Sequence, residues 1–251
     1  HDPCLLFSED GTQLDTVWTE PGGVMTMTQV PGTDGQFLAT HQFYSPNDSA
    51  NAKIVIVTPK GKGNWEIRTL CCAPFVHRFG ILHRAGHNYL IACCLKTGQE
   101  YKEDWRFKGA CFGAELPSDL SAFDEGHQLE LTLIKDGLLK NHGYSLTRHG
   151  GHDAALIGCE EGTFLIDPPA VAGADWTVTQ IHHVPSSDSV LVDFDGDGQL
   201  ELGCISPFHG ASLTIYHLDA HGNYVPQWKY SRPESETEIL HATWACELLG
   251  K

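Results

Sequence analysis

Apolar positions along this chain come in short runs broken by Gly, Pro, Asn and Asp, and almost nowhere at the spacing of an amphipathic helix. Runs at 24–30, 37–43, 53–57, 65–70, 75–82, 89–95, 129–134, 154–159, 163–166, 177–181, 213–217 and 224–228 are rich in β-branched, aliphatic and aromatic residues. Such runs between turn-forming residues read as β-strands. Many short, evenly spaced strands predict an all-β fold: a sandwich, a barrel or a propeller.

An internal repeat selects the propeller. The segment 75–88 aligns with 140–153. Each carries a histidine (His77, His142), a glycine nine residues later (Gly86, Gly151), and then His87-Asn88 or His152-Asp153. Apolar runs ending at Cys94 and Cys159 follow in register. The spacing recurs from His241 to Gly250. A fourth copy ends at Cys204 with His183 loosely aligned, and 24–43 is a fifth with Gly or Thr in place of histidine. The expectation is a five-bladed β-propeller, a single domain over 1–251, with about 50 residues per blade. Blades are placed at 22–70, 75–135, 141–182, 187–230 and 236–251. The last runs out after one strand, and the apolar runs 4–7 and 14–18 are expected to complete it, closing the ring and removing open edges. The alternative is a shortened chain whose blade a partner segment finishes. Residues 97–125, with Tyr101, Trp105 and Phe107, read as an insertion in blade two, a lid or binding wall.

The stretch 193–201 reads Asp-Phe-Asp-Gly-Asp-Gly-Gln-Leu-Glu. Asp193, Asp195 and Asp197 fall at loop positions one, three and five, Gln199 offers a carbonyl at seven, and Glu201 sits at nine. A hard cation, Ca²⁺ or Mg²⁺, takes oxygens from such a curled loop, and the carboxylates would repel each other without one. An EF-hand needs an acid at position twelve, which here is Cys204, and the flanking runs are strand-like. The bare alternative is an Asp/Gly-rich hairpin without an ion.

Net charge is −16, from 32 acids against 16 bases. Such a surface argues against nucleic acid and against an anionic membrane as partners. No apolar run reaches membrane-spanning length. The chain begins at His1 without methionine, so an upstream segment is expected to have been removed. Nine cysteines, two adjacent pairs among them, form no disulfide framework and no zinc-type spacing; a cytoplasmic location is expected. Oligomeric state is not legible.

Fifteen histidines are many, and their placement matters more than their number. In a propeller, strands alternate direction outward from the axis. Starts of innermost strands therefore share one face with ends of second strands. His77, His142 and His241, with His183 beside them, would surround the channel mouth, opposite the 193–201 loop. His41, Tyr44, Asn47, Lys96, Glu160 and His209 would share that face. Three readings stand. The histidines cap strands in a wet pore; they hold a divalent metal such as Mn²⁺, Zn²⁺ or Mg²⁺ and catalyse; or they transfer protons without metal. His87 and His152 read as hairpin closers.

The 193–201 loop resembles the calcium turns of FG-GAP and VCBS repeats, which build β-propellers. Val76-His77-Arg78-Phe79, Ser206-Pro207-Phe208-His209-Gly210 and His241-Ala242-Thr243-Trp244 look like a narrower set, related to aldos-2-ulose dehydratase and to β-propeller polysaccharide lyases. The cupin-like domains of that dehydratase family are absent from this sequence. The resemblance implies β-elimination on a sugar or keto-sugar. Elimination needs a base, a cation for the enolate and an acid for the leaving oxygen. One of His77, His142 or His241 is then the base, and the others hold a metal or serve as acid. Arg78 or Lys96 would pair with a substrate carboxylate, Tyr44 and Tyr144 are candidate acids, and Trp105 would stack on a sugar face. The rival reading is a propeller that binds a carbohydrate or a protein and catalyses nothing.

Overall fold

The computed structural model describes residues 3–233 and 239–245. The acidic run 234–238 and the end of the chain from Cys246 lie outside them. The fold is all-β, with no helix among the described residues, and consists of five antiparallel sheets of two to four strands in a propeller-like arrangement.

An N-terminal hairpin pairs β1 (Cys4–Phe7) with β2 (Gln13–Trp18). The first four-stranded sheet is β3 (Met27–Gln29), β4 (Phe37–His41), β5 (Lys53–Pro59) and β6 (Trp65–Cys72). The second is β7 (Val76–Arg84), β8 (His87–Lys96), β9 (Lys108–Leu116) and β10 (Thr132–Leu138). The third is β11 (Gly143–His149), β12 (His152–Cys159), β13 (Gly162–Asp167) and β14 (Thr177–His182). The fourth is β15 (Asp188–Val192), β16 (Glu201–Ser206), β17 (Ser212–Leu218) and β18 (Tyr224–Ser231). Each is an up-and-down meander, because short turns allow only antiparallel neighbours.

Burial explains the sequence pattern. Second strands such as β8 and β12 are covered on both faces by neighbouring sheets, so they read as continuous apolar runs. The outermost strand β18 is almost wholly exposed. Cores form at the seams: Leu38, Ile54 and Ile56 against Phe79, Leu90 and Cys94; Ile91 and Cys111 against Ile157 and Phe164; Leu156 and Leu165 against Leu202 and Tyr216.

Two expectations change. Residues 97–125 are not one insertion, because β9 lies within them as the third strand of the second sheet. Its glycines suggested a loop, yet they serve packing: a Cβ on Gly113 would lie 2.6 Å from Trp176 and 2.7 Å from Ile134. The expected pairing of the N-terminal hairpin with the C-terminal segment is not found among the described residues, and the part of that segment from Cys246 onward lies outside them. Among the described residues β1 and β2 pair with each other, and 239–245 forms no strand. The hairpin instead lays Val17 and Trp18 on Ala39, Val55 and Val57, covering the free face of the first sheet. Asp15 fixes it there by accepting from the Gly63 N–H at 2.7 Å and the Trp65 indole at 3.0 Å.

Candidate functional site

The inner strand β11 lies against both β7 and β15. Two enter through the same backbone turn. Phe75 and Lys140, each two residues before a histidine, have φ of 60° and 53°. His77 and His142 therefore arrive at the axis in equivalent settings.

A ladder of hydrogen bonds then steps from sheet to sheet. The Thr26 hydroxyl donates to the His77 carbonyl at 3.3 Å. His77 Nδ1 donates to the His142 carbonyl at 3.3 Å, and His142 Nδ1 to the Ser187 carbonyl at 3.1 Å. A carbonyl only accepts, so both histidines carry their proton on Nδ1 and keep a lone pair on Nε2. Ser187, not His183, holds the equivalent place in the fourth sheet. His183 is exposed in the loop after β14, beside a cleft it shares with His149 and His182, and takes no part in the funnel.

Three imidazoles converge. His142 Nε2 lies 3.1 Å from His241 Nε2 and 3.4 Å from His209 Nε2. One nitrogen from each of the three lies within 4.8 Å of the other two, a grouping able to hold a metal ion. His142 is buried at 2% exposure; His209 is half-buried and His241 exposed. The Leu240 N–H to the Gly210 carbonyl (3.0 Å) and the Thr243 N–H to Asp188 Oδ2 (2.8 Å) pin His241. His209 stacks on Phe208 with centroids 4.0 Å apart. Gly210 permits this tight loop, because a Cβ there would lie 2.3 Å from the Ser206 carbonyl oxygen.

Burial sets the charge state. It pushes His77 down to about 3 and His142 to about 2, with Arg78 adding to the first effect and His77 to the second. His209 and His241 are lowered too, by burial first and then by His241 and Arg78 respectively. Neutral imidazoles result, the form a transition metal takes.

The next residue along each inner strand makes a second layer of Arg78, Gly143 and Asp188. A Cβ on Gly143 would lie 2.8 Å from the Ser187 oxygen and 3.0 Å from Asp188 Oδ1, so glycine lets β15 close in. Burial pushes the Asp188 carboxyl up to about 6, against the lowering effect of the Thr243 N–H and Arg78. The buried Arg78 Nε has no hydrogen-bond partner among the described residues. Arg78, Tyr144 and Trp244 line a cavity of about 500 Å³ here. Tyr144 is spent on packing: its hydroxyl lies over Gly80, where a Cβ would sit 1.7 Å away, and burial raises its pKa, which weakens it as an acid.

Several expected substrate contacts are structural. Lys96 is fully buried. Its Nζ donates to Asn47 Oδ1 at 2.8 Å, Gln99 Oε1 at 3.2 Å and the Asp104 carbonyl at 3.2 Å, and lies 4.6 Å from the centre of the Trp105 ring. All three protons are used, so Lys96, Asn47 and Trp105 hold loops together. His41 packs on Trp18 at 4.7 Å, under the N-terminal hairpin and away from the cluster. Tyr44 is exposed, its N–H tied to the Asp48 carbonyl.

The 193–201 loop joins β15 to β16 at the end of the inner strand opposite the histidines. Asp193 accepts from the Gly196 and Gly198 N–H groups at 2.6 and 2.9 Å. Oxygens of Asp193, Asp195 and Glu201 lie within 4.8 Å of one another, as do donor atoms of Asp195, Asp197 and His217. Gln199 turns its amide to Asp197 at 3.4 Å. Sequence reasoning missed His217, which approaches Glu201 at 3.1 Å from the third strand. It also missed Asp188, because aligning His183 put the register of the fourth copy four residues too early.

Compared with known proteins, the chain matches no family model and no curated protein. Among solved structures, MPT-1, a GDP-Man-dependent mannosyltransferase from Leishmania mexicana, is similar at TM-score 0.38 and 12% identity. The match covers 81% of this chain and 62% of that one, so this chain spans less than two thirds of its length. Similarity at that level transfers no activity.

Proposed function

We propose that the axial cluster is the active centre of a metal-dependent carbon–oxygen lyase that performs β-elimination on a sugar or keto-sugar. The observation that carries this reading is the meeting of His142, His209 and His241, with the Nδ1 proton of His142 committed to the Ser187 carbonyl. Three nitrogen donors suit Zn²⁺ better than Mn²⁺ or Mg²⁺, which prefer oxygen. An ion held there supplies Lewis-acid stabilisation of an enolate. The chain's own residues supply the rest. Arg78 anchors a substrate carboxylate, and Trp244, at 84% exposure, offers a face for a sugar ring. Asp188 is assigned as proton acceptor in place of the deeply buried His77, since a carboxyl held near 6 exchanges its proton close to neutrality.

Three further readings belong with this one. The 193–201 loop is read as a Ca²⁺ (or Mg²⁺) site that fixes a turn. The fold is read as a five-bladed propeller, with 239–245 and the N-terminal hairpin both contributing to the fifth position. The eight described cysteines are thiols, in keeping with a cytoplasmic protein. No described helix is long and apolar enough to cross a membrane.

One observation favours a non-catalytic carbohydrate-binding propeller instead. His77 and His142 both spend Nδ1 on ties between sheets, and neither is basic at neutral pH. The deciding experiment incubates the protein with keto-sugars and uronate oligosaccharides, with Zn²⁺, Mn²⁺ or Mg²⁺ added, and follows the absorbance of an unsaturated product. Turnover lost in His241→Ala, with the fold intact, supports the lyase. Sugar binding without turnover under every metal assigns the binding role.

A further inference from the structure

At the far ends of the inner strands the second, third and fourth sheets each hold one imidazole against one carboxylate. The pairs are His87 with Glu115 (2.8 Å), His152 with Asp167 (2.8 Å) and His217 with Glu201 (3.1 Å). In each, the first residue of the second strand meets a residue near the end of the third. The third sheet adds one more donor. The turn between β11 and β12 is Gly150-Gly151, with φ of 54° and 85°. A two-residue turn of this hand makes its flanking residues cross-strand partners, and His149 pairs with His152. The register Ala155↔Ile166 puts Asp167 diagonally beside His152 on the same face. As a result His149 Nδ1 and His152 Nε2 both lie 2.8 Å from one oxygen, Asp167 Oδ1.

We propose that His149, His152 and Asp167 form a second transition-metal site, separate from the axial cluster and from the acidic loop. Two imidazoles and one carboxylate on one face, the remaining positions open, is a donor set for a divalent metal such as Zn²⁺, Co²⁺ or Fe²⁺. The three donor atoms lie within 4.8 Å of one another. The Asp167 side chain is only 6% exposed, and no Lys or Arg pairs with it among the described residues, so its charge is met by these two rings alone. His149 is 54% exposed at its side chain and borders a cleft of about 620 Å³ between the third and fourth sheets, which gives an ion a route in and a ligand room to reach it. The second sheet supplies an internal control. Arg84 stands where the third sheet has His149, and its guanidinium donates to the Pro168 carbonyl at 2.6 Å, so the His87–Glu115 pair lacks a third ligand.

The test uses the full chain with His209→Ala and His241→Ala in place, so that the axial cluster is disabled, and excess Ca²⁺ throughout, so that the acidic loop is filled. Co²⁺ is the probe, read by its visible absorption and by equilibrium dialysis. One equivalent is expected to bind. His149→Ala, at an exposed position, is expected to weaken it by more than about 100-fold, beyond the 10–100-fold typical of a group one shell out. Asp167→Asn, which keeps the hydrogen bonds and removes the charge, is expected to weaken it too, and His87→Ala to leave it unchanged. Unaltered Co²⁺ binding in His149→Ala, or no binding in the parent, overturns the proposal and leaves a hydrogen-bonded clasp.

Discussion

The two ends of the inner strands use the same residue types to opposite purposes. At the mouth, imidazoles reach across seams: His77 holds the third sheet and His142 the fourth. At the far end, imidazoles and carboxylates pair inside one sheet: His87 with Glu115, His152 with Asp167, His217 with Glu201. The two tying histidines, His77 and His142, are buried and neutral, whereas their counterparts at the turns face carboxylates. A substitution at the mouth should therefore be felt by neighbouring sheets and by the chemistry. One at the turns should stay local.

The largest expected effect breaks the mouth. His142→Ala removes both a seam tie and a converging nitrogen, and should abolish tight Zn²⁺ binding. On an elimination substrate it should lower turnover by about 10²–10⁴-fold, the range of a group that works in proton transfer or its support. His241→Ala, on an exposed segment, should match the loss of metal and activity with a much smaller drop in melting temperature. Equal thermal losses in the two variants would erase the distinction between tie and ligand.

The next effect concerns the acidic loop. EDTA, or Asp195→Asn with Asp197→Asn, should lower stability by about 2.7 kcal/mol relative to protein at a hundredfold excess of Ca²⁺ over its Kd. Calorimetry with and without Ca²⁺ measures it, and an unchanged melting temperature removes the ion from the loop.

Acid should separate the ends by mechanism. His77 and His142 are lowered from 6.5 to about 3 and about 2, so the unfolded chain binds protons that the folded chain refuses. Their stabilising share is present above 6.5 and is lost as pH falls toward those values. Asp188, raised from 3.8 to about 6, works the other way and costs stability as pH rises through that window. With two strongly lowered histidines, and His41 lowered to about 4, against one raised carboxyl, stability should fall from pH 6.5 to 4. His142→Ala should flatten that slope, as chemical denaturation across the pH range would show.

The smallest effect is His87→Ala. Its pair with Glu115 is exposed on both sides, so the change should cost no more than about 1 kcal/mol, and a larger loss would mean that the turn pairs carry more than local weight.

The all-β class and most strands were legible because second strands are buried on both faces and read as unbroken apolar runs. β9 was not, since Gly109 and Gly113 look like loop residues until the strands and side chains pressing on them are known. The equivalent positions of His77 and His142 could be read from their spacing, whereas the nitrogens that converge are those of His142, His209 and His241, and His241 reaches them from a segment that forms no strand. His209 was placed on the same face, but its meeting with His142 and His241 was not foreseen, because it depends on the loop around Gly210. Lys96 and Asn47 were read as available, yet each was the other's partner, and a single sequence does not reveal which polar groups satisfy one another. The His149–Asp167 contact depends on a register between strands that no local pattern encodes.

The axial ladder has a consequence for how such a chain can change. Its rungs are a threonine hydroxyl and two histidine rings, and all that the backbone asks of that position is one proton to donate. The fold thus tolerates exchange among donors at each seam, while the atoms facing the cavity change identity with every exchange. A swap of one donor for another at this mouth therefore changes the lining while keeping the tie between sheets, whereas a change that removes the donor forfeits both.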